Sequence, residues 1–175
     1  MALFRERGYP DVTVAQIADR AGLTKRTFFN HFADKREVLF AAAEAFEASV
    51  IGYLGEVADE FEPVDAAVAA LTRGGIDLTS YGDSAHARRE LIASSTELQE
   101  RNLIKTASLA ASLAAGLGER GAPGTITDFA AQAAVVVFAA AYDEWADNTT
   151  VDFSVLMQKS LAGLRRAIGC EQADD

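Results

Sequence analysis

The sequence predicts an all-α protein, on three observations. Apolar residues recur at three- and four-residue intervals along almost the whole chain. Good helix formers (Ala, Leu, Glu and Arg) dominate, and no run shows the two-residue alternation of a half-buried strand. Gly and Pro stand where helices would stop and start.

The first helix runs from Ala2 to Arg7 and closes at Gly8, and Pro10 with Asp11 makes a turn. Thr13 can cap a second helix with Val14, Ile17, Ala18 and Ala21 at i, i+3, i+4 and i+7, ended by Gly22. Thr24 caps a third, from Lys25 to about Phe32, with Phe28 and Phe32 one turn apart. Two short helices joined by a tight Gly-containing turn form a helix-turn-helix. Asp34 then caps a helix from Lys35 to Val57, about 34 Å of rod at 1.5 Å per residue.

Pro63 opens a helix expected to fray at Gly74 and Gly75. Asp83 and Ser84 precede another. Ser94 with Glu97, and Thr125 with Asp128, have capping-box spacing and open two long helices. The inner face of the first of these is Leu98, Leu109, Leu113 and Leu117. The second is apolar on nearly every side between Ala130 and Tyr142 and needs cover all round. Asp152 caps the last helix, Phe153 to Ile168, with Arg165 and Arg166 at its cation-favouring end. So much apolar surface on the last two helices predicts a homodimer formed through them.

At 175 residues the chain holds one or two domains and buries a core without staples. Its lone Cys170 cannot pair within the chain, which suits a reducing cytoplasm. The longest continuous apolar run, Ala133 to Tyr142, is too short for a bilayer span, and Arg5, Glu6 and Arg7 come too early for a signal peptide, so no membrane role or export is expected. The net charge of -10 counts against a nucleic-acid partner only on average. Residues 1–46 carry seven Lys/Arg and six Asp/Glu, whereas 47–175 carry nine and twenty. The division expected is a helix-turn-helix domain over 1–46 and a larger helical domain over 47–175.

Residues 8–39 read GYPDVTVAQIADRAGLTKRTFFNHFADKREVL. This segment closely resembles the DNA-binding signature of the TetR family of bacterial transcriptional regulators, down to both glycines, the Ile17-Ala18 pair, the Phe29-Asn30-His31-Phe32 block and Asp34-Lys35. The resemblance implies a regulator, in the main a repressor, that binds a palindromic operator in double-stranded DNA as a dimer and is released by a small-molecule effector. It places Lys25, Arg26 and Thr27 at base edges, Phe29, Asn30 and His31 near the sugar-phosphate backbone, and Thr13 and Lys35 on phosphates at helix starts. A recognition helix needs polar groups at its exposed N-terminal end and an apolar docking face, which Phe28 and Phe32 supply. Each residue also has an ordinary reading: His31 as a surface histidine, Lys25 and Arg26 as a solvated pair, Thr13 as a cap alone.

Two features depart from the family pattern. Phe29 stands where Tyr is common, which removes a phosphate-bonding hydroxyl. The first helix has barely two turns, where the family usually has a further basic stretch upstream, and the expectation is that the sequence begins inside that helix.

Residues 47–175 resemble the family's effector-binding and dimerisation part. Tyr53, Phe61, Tyr81, His86, Arg89, Asn102, Phe138, Tyr142 and Trp145 are candidates to line a mostly apolar pocket for an apolar or amphipathic ligand, or else are ordinary packing. No cofactor or metal is expected. An enzyme is disfavoured: two distant histidines, a terminal cysteine, and Asp143 beside Glu144 on different sides of a helix make no catalytic set. A helical carrier that no longer binds DNA remains the other alternative.

Overall fold

Residues 2–80 and 84–169 are described in a computed structural model, so the candidate Tyr81 and the lone Cys170 lie outside the described residues. All the regular structure described is helical, in the order α1 Ala2–Arg7, α2 Val14–Arg20, α3 Lys25–His31, α4 Lys35–Phe40, α5 Ala43–Glu56, α6 Pro63–Thr79, α7 Ala85–Ala93, α8 Thr96–Glu119, α9 Gly124–Asp147 and α10 Phe153–Ala167. The chain forms two compact units that interleave along the sequence. One comprises Met1–Glu44 and Asp83–Lys105, the other Ala45–Gly82 and Thr106–Asp175. Residues 83–105, which a single division after residue 46 would assign to the second part, thus pack in the first, and α8 contributes residues to both.

The first unit is built on a core of Phe4, Tyr9, Val12, Leu39, Phe40, Leu91 and Leu98. Its short helices are held by the caps expected of them. Thr13 accepts from the Gln16 N–H at 3.3 Å, and the Gln16 side chain accepts the Thr13 N–H at 2.8 Å, which completes a capping box around α2. Thr24 accepts from the Thr27 N–H at 3.1 Å, and Asp34 from the Arg36 N–H at 2.8 Å. Gly22 takes φ +67° in the turn between α2 and α3, a conformation open to glycine and strained for residues bearing a Cβ.

In the second unit α6, α9 and α10 pack mutually. Along α8 the expected inner face is buried throughout, with Leu98 serving the first unit and Leu109, Leu113 and Leu117 the second. Asp152 caps α10 through the Ser154 N–H at 2.7 Å, and Arg165 bonds Asp65 on α6 at 2.6 Å.

Five expectations are corrected. The rod from Lys35 is two helices, broken at Ala41 and Ala42, although Ala41 keeps helical dihedrals of -55° and -33° and no Gly or Pro marks the place. Helix α6 does not fray at Gly74 and Gly75. Both are buried, and their missing side chains admit neighbours: a Cβ on Gly74 would meet Val50 at 2.7 Å, and one on Gly75 would meet the Phe153 ring at 2.1 Å. Ser94 does not open α8 but closes α7, donating to the Leu91 carbonyl at 2.8 Å, while Glu97 turns to other partners. Thr125 lies inside the first turn of α9, because Pro123 takes the cap position with extended backbone and accepts the Thr127 N–H at 3.0 Å.

The fifth concerns hydropathy. No continuous run is long enough to span a bilayer, yet Lys35–Glu56 and α9 reach mean hydropathies of 1.4 and 1.5, which meet the length and composition of a span. Core helices of globular proteins pass the same test, and α9 buries Ala130, Ala134, Val137, Ala141 and Trp145 within its unit.

Because the Phe153 ring is itself buried against Gly75, Gly75→Ala is expected to destabilise the protein by roughly 1–3 kcal/mol through overpacking. Gly52→Ala, at an exposed α5 position with nothing within 4 Å of the new methyl, should instead stabilise by about 0.5–1 kcal/mol. Urea unfolding of the two variants reads the opposite signs.

Candidate nucleic-acid interface

The polar end of α3 follows from its docking. Phe28 is buried, with its ring 5.2 Å from that of Phe32, so the helix turns its other side outward. Lys25 and Arg26 are exposed in the first turn, Phe29 and Asn30 follow one turn on, and His31 is exposed at the end. Among the described residues neither Lys25 nor Arg26 forms an ion pair, so both cations are available to a phosphate or a base edge. Phe29 is 56 % exposed and meets Phe28 edge-on at 5.5 Å. An exposed phenyl among cations is costly to leave in water and suits contact with a base or sugar face. Thr27 is half-buried, and its hydroxyl lies 2.9 Å from that of Thr24.

Lys35 is placed differently from the phosphate ligand expected. Its ammonium reaches the carbonyls of Tyr9 at 2.8 Å, Val12 at 3.1 Å and Pro10 at 3.3 Å, and lies 4.2 Å from the centre of the Tyr9 ring. Those three bonds take up its three donors. Lys35 thereby ties the turn before α2 to the start of α4, which holds Thr13 and Asp34 in place.

Sequence reasoning missed the polar group behind this turn. The Tyr9 hydroxyl donates to Glu97 at 3.2 Å, and Arg36 Nε lies 3.3 Å from the same carboxylate. Arg36 also pairs with Asp34, its Nε donating at 2.9 Å. Burial first, then the Glu97 charge and hydrogen bond, push the Tyr9 phenol well above its ordinary range, which keeps it a neutral donor. The Arg36 side-chain bond holds the Asp34 carboxyl below its ordinary value. Only the partnership's 88-residue separation hid it, since no local pattern joins Tyr9 to Glu97.

His31 also borders an open polar cleft of about 430 Å³. Its charges are largely paired with one another or with a neighbour, Arg101 with Glu37 at 2.6 Å and Glu44 with Lys105 at 3.1 Å.

Residues 1–42 match the family of bacterial regulatory proteins named tetR. The helix-turn-helix segment is thus similar to the DNA-binding part of that family. The chain is 27% identical over 156 residues, 87% of its own length and 78% of the relative's, to a protein described as the mycofactocin biosynthesis transcriptional regulator MftR of Mycobacterium tuberculosis. It is 39% identical over 54 residues, 31% of its length and 24% of the relative's, to the HTH-type transcriptional regulator TcmR of Streptomyces glaucescens. It is a DNA-binding transcriptional regulator.

The effector candidates divide between the units. Phe138, Tyr142 and Trp145 join Phe46 and Phe153 in one aromatic group, with successive ring centres 5.5–6.1 Å apart. Tyr53 belongs to the same unit, but its hydroxyl donates to Asp77 at 2.6 Å and Arg73 covers its ring at 4.1 Å. Phe61 is exposed. His86, Arg89 and Asn102 belong to the first unit, with the helix-turn-helix. His86 is 3.4 Å from both Arg89 and Glu90.

Replacing Lys35 with Met removes the ammonium and strands three carbonyls, and a loss of roughly 1–3 kcal/mol is expected in urea unfolding. Asp34→Asn keeps a cap but loses the charge. A lowered carboxyl contributes stability above its ordinary value of 3.8 that is lost as pH falls through its folded value. The wild type should therefore exceed the Asn variant in stability at neutral pH, with the gap closing below about pH 4 in acid titrations.

Proposed function

We propose that this regulator is a homodimeric, cytoplasmic repressor that binds a palindromic operator through two copies of α3 and is released by a small apolar or amphipathic ligand. The observation that carries the reading is the exposed first turn of α3, where Lys25 and Arg26 stand without ion-pair partners among the described residues above a buried Phe28. Lys25, Arg26 and Asn30 would read base edges and phosphates, with Phe29 packing on the nucleotide. Thr13 and the first turn of α4 would position the backbone. The MftR relative is named for regulating mycofactocin biosynthesis, and regulation of a biosynthetic gene set is the corresponding role proposed here.

Dimerisation is supported by the outer side of α9, where Ile126, Phe129 and Val136 are 48 %, 78 % and 58 % exposed at helical spacing, and by Val155 and Ile168 on α10. An apolar face this regular on a globular chain suits a second copy of itself. Two recognition helices must lie about 34–36 Å apart to enter successive major grooves. A ligand against the Phe138, Tyr142 and Trp145 group would favour another spacing, and a coupling of about 1–3 kcal/mol changes operator affinity roughly 5- to 150-fold.

Fluorescence anisotropy on duplexes covering the DNA beside the protein's own gene tests the reading. A palindromic site and a steep fall of affinity with salt are expected, and Arg26→Ala should weaken binding about 5- to 150-fold at constant salt. Salt-independent binding, or none, would show a carrier rather than a regulator. Phe129→Asp should turn the dimer into a monomer in sedimentation velocity, and a dimer unaffected by that charge would place the interface elsewhere.

A further inference from the structure

We propose that Glu97 is a positioning residue for DNA binding, acting through Tyr9 and Arg36 on the two helix starts that flank the helix-turn-helix. The role rests on the regulator reading above and extends it to a segment outside the signature.

Glu97 belongs to the stretch that rejoins the first unit, Asp83–Lys105. Next to it Leu98 is fully buried, and with Leu91 it joins Phe4, Tyr9, Val12, Leu39 and Phe40 in one core. Packing therefore fixes the backbone that carries the carboxylate. One oxygen of Glu97 accepts from the Tyr9 hydroxyl at 3.2 Å, and the other faces Arg36 Nε at 3.3 Å. Tyr9 in turn lies under the Lys35 ammonium and gives it one of three carbonyls, the others coming from Pro10 and Val12 just before Thr13. Arg36 in turn holds Asp34, the cap of α4. A single carboxylate thus reaches both the turn that ends at the α2 cap and the cap of α4.

The energetics favour positioning over stability. The Glu97 side chain is half exposed, and pairs of this kind contribute at most about 1 kcal/mol. Contact geometry at a duplex is more demanding, since supporting groups must hold contacting residues within roughly 0.5 Å. Losing Glu97 should therefore cost little folding stability and noticeable operator affinity. Glu97 also stands on α8, which like α5 supplies residues to both units.

The test uses the full-length chain and the operator duplex found beside its gene. Glu97→Ala is expected to weaken operator binding roughly 3- to 30-fold, the range for residues that touch neither ligand, with the melting temperature nearly unchanged. Glu97→Gln keeps a single acceptor oxygen, which serves Tyr9 or Arg36 but not both, and should restore part of the affinity. Tyr9→Phe removes one of the two contacts and should reproduce part of the alanine loss, and the double variant should be no weaker than Glu97→Ala alone. In amide NMR spectra the Thr13, Gln16 and Lys35 signals should shift with Glu97→Ala and return part of the way with Glu97→Gln. Wild-type affinity in a folded Glu97→Ala protein overturns the role, as does an equal loss with Gln, or additive losses in the double variant. A wild-type chain that binds no duplex overturns the regulator reading, and this role with it. Glu56→Ala, which breaks an exposed pair with Arg73 in the other unit, serves as the unaffected control.

Discussion

Three carbonyl oxygens converge on one ammonium group, that of Lys35, and the presentation of the recognition helix depends on the bonds they make. Helices of six or seven residues are far below the length at which a helix is stable alone, so α1 to α4 hold only through caps and tertiary contacts. The caps at Thr13, Thr24 and Asp34 satisfy their first amides. The Lys35 bonds to Tyr9, Pro10 and Val12 then tie the turn before α2 to the start of α4 and hold α3 between two pinned ends. An ammonium suits this use: it is a compact charge with three separately aimed donors, whereas a guanidinium presents its donors in a rigid planar fork.

Charge is divided by the same logic. The acidic excess lies beyond residue 46, while the exposed face of α3 carries two cations with no carboxylate paired to them. A polyanion meets that face without first displacing an internal partner. Several other cations of the first unit pair internally: Arg20 with Glu6, Arg36 with Asp34 and Glu97, Arg101 with Glu37.

The second unit solves a packing problem of another kind. Two glycines in the middle of α6 weaken helix propensity by about 1 kcal/mol each, yet they let Val50, Phe46 and Phe153 approach the helix backbone more closely than any Cβ allows. The aromatic group around Phe138 and Phe153 grows from that close approach. On α9 the same apolar composition serves an inner side that is buried and an outer side that remains open at Phe129 and Val136.

Local chemistry alone determined the helical class, the three caps around the helix-turn-helix, the docking side of α3 and the TetR signature, because each is set within about one helical turn by periodicity, capping and turn residues. The inner face of α8 was legible for the same reason. Three-dimensional packing decided what depends on partners far along the chain. It continued α6 through Gly74 and Gly75, since burial outweighs propensity. It drew Glu97 from the capping role its spacing suggested into contact with Tyr9 and Arg36, and it committed the Lys35 ammonium to backbone carbonyls. It also gathered residues 84–105, His86, Arg89 and Asn102 among them, into the helix-turn-helix unit. A helical period states which side of a helix is apolar, but only the fold states what that side meets.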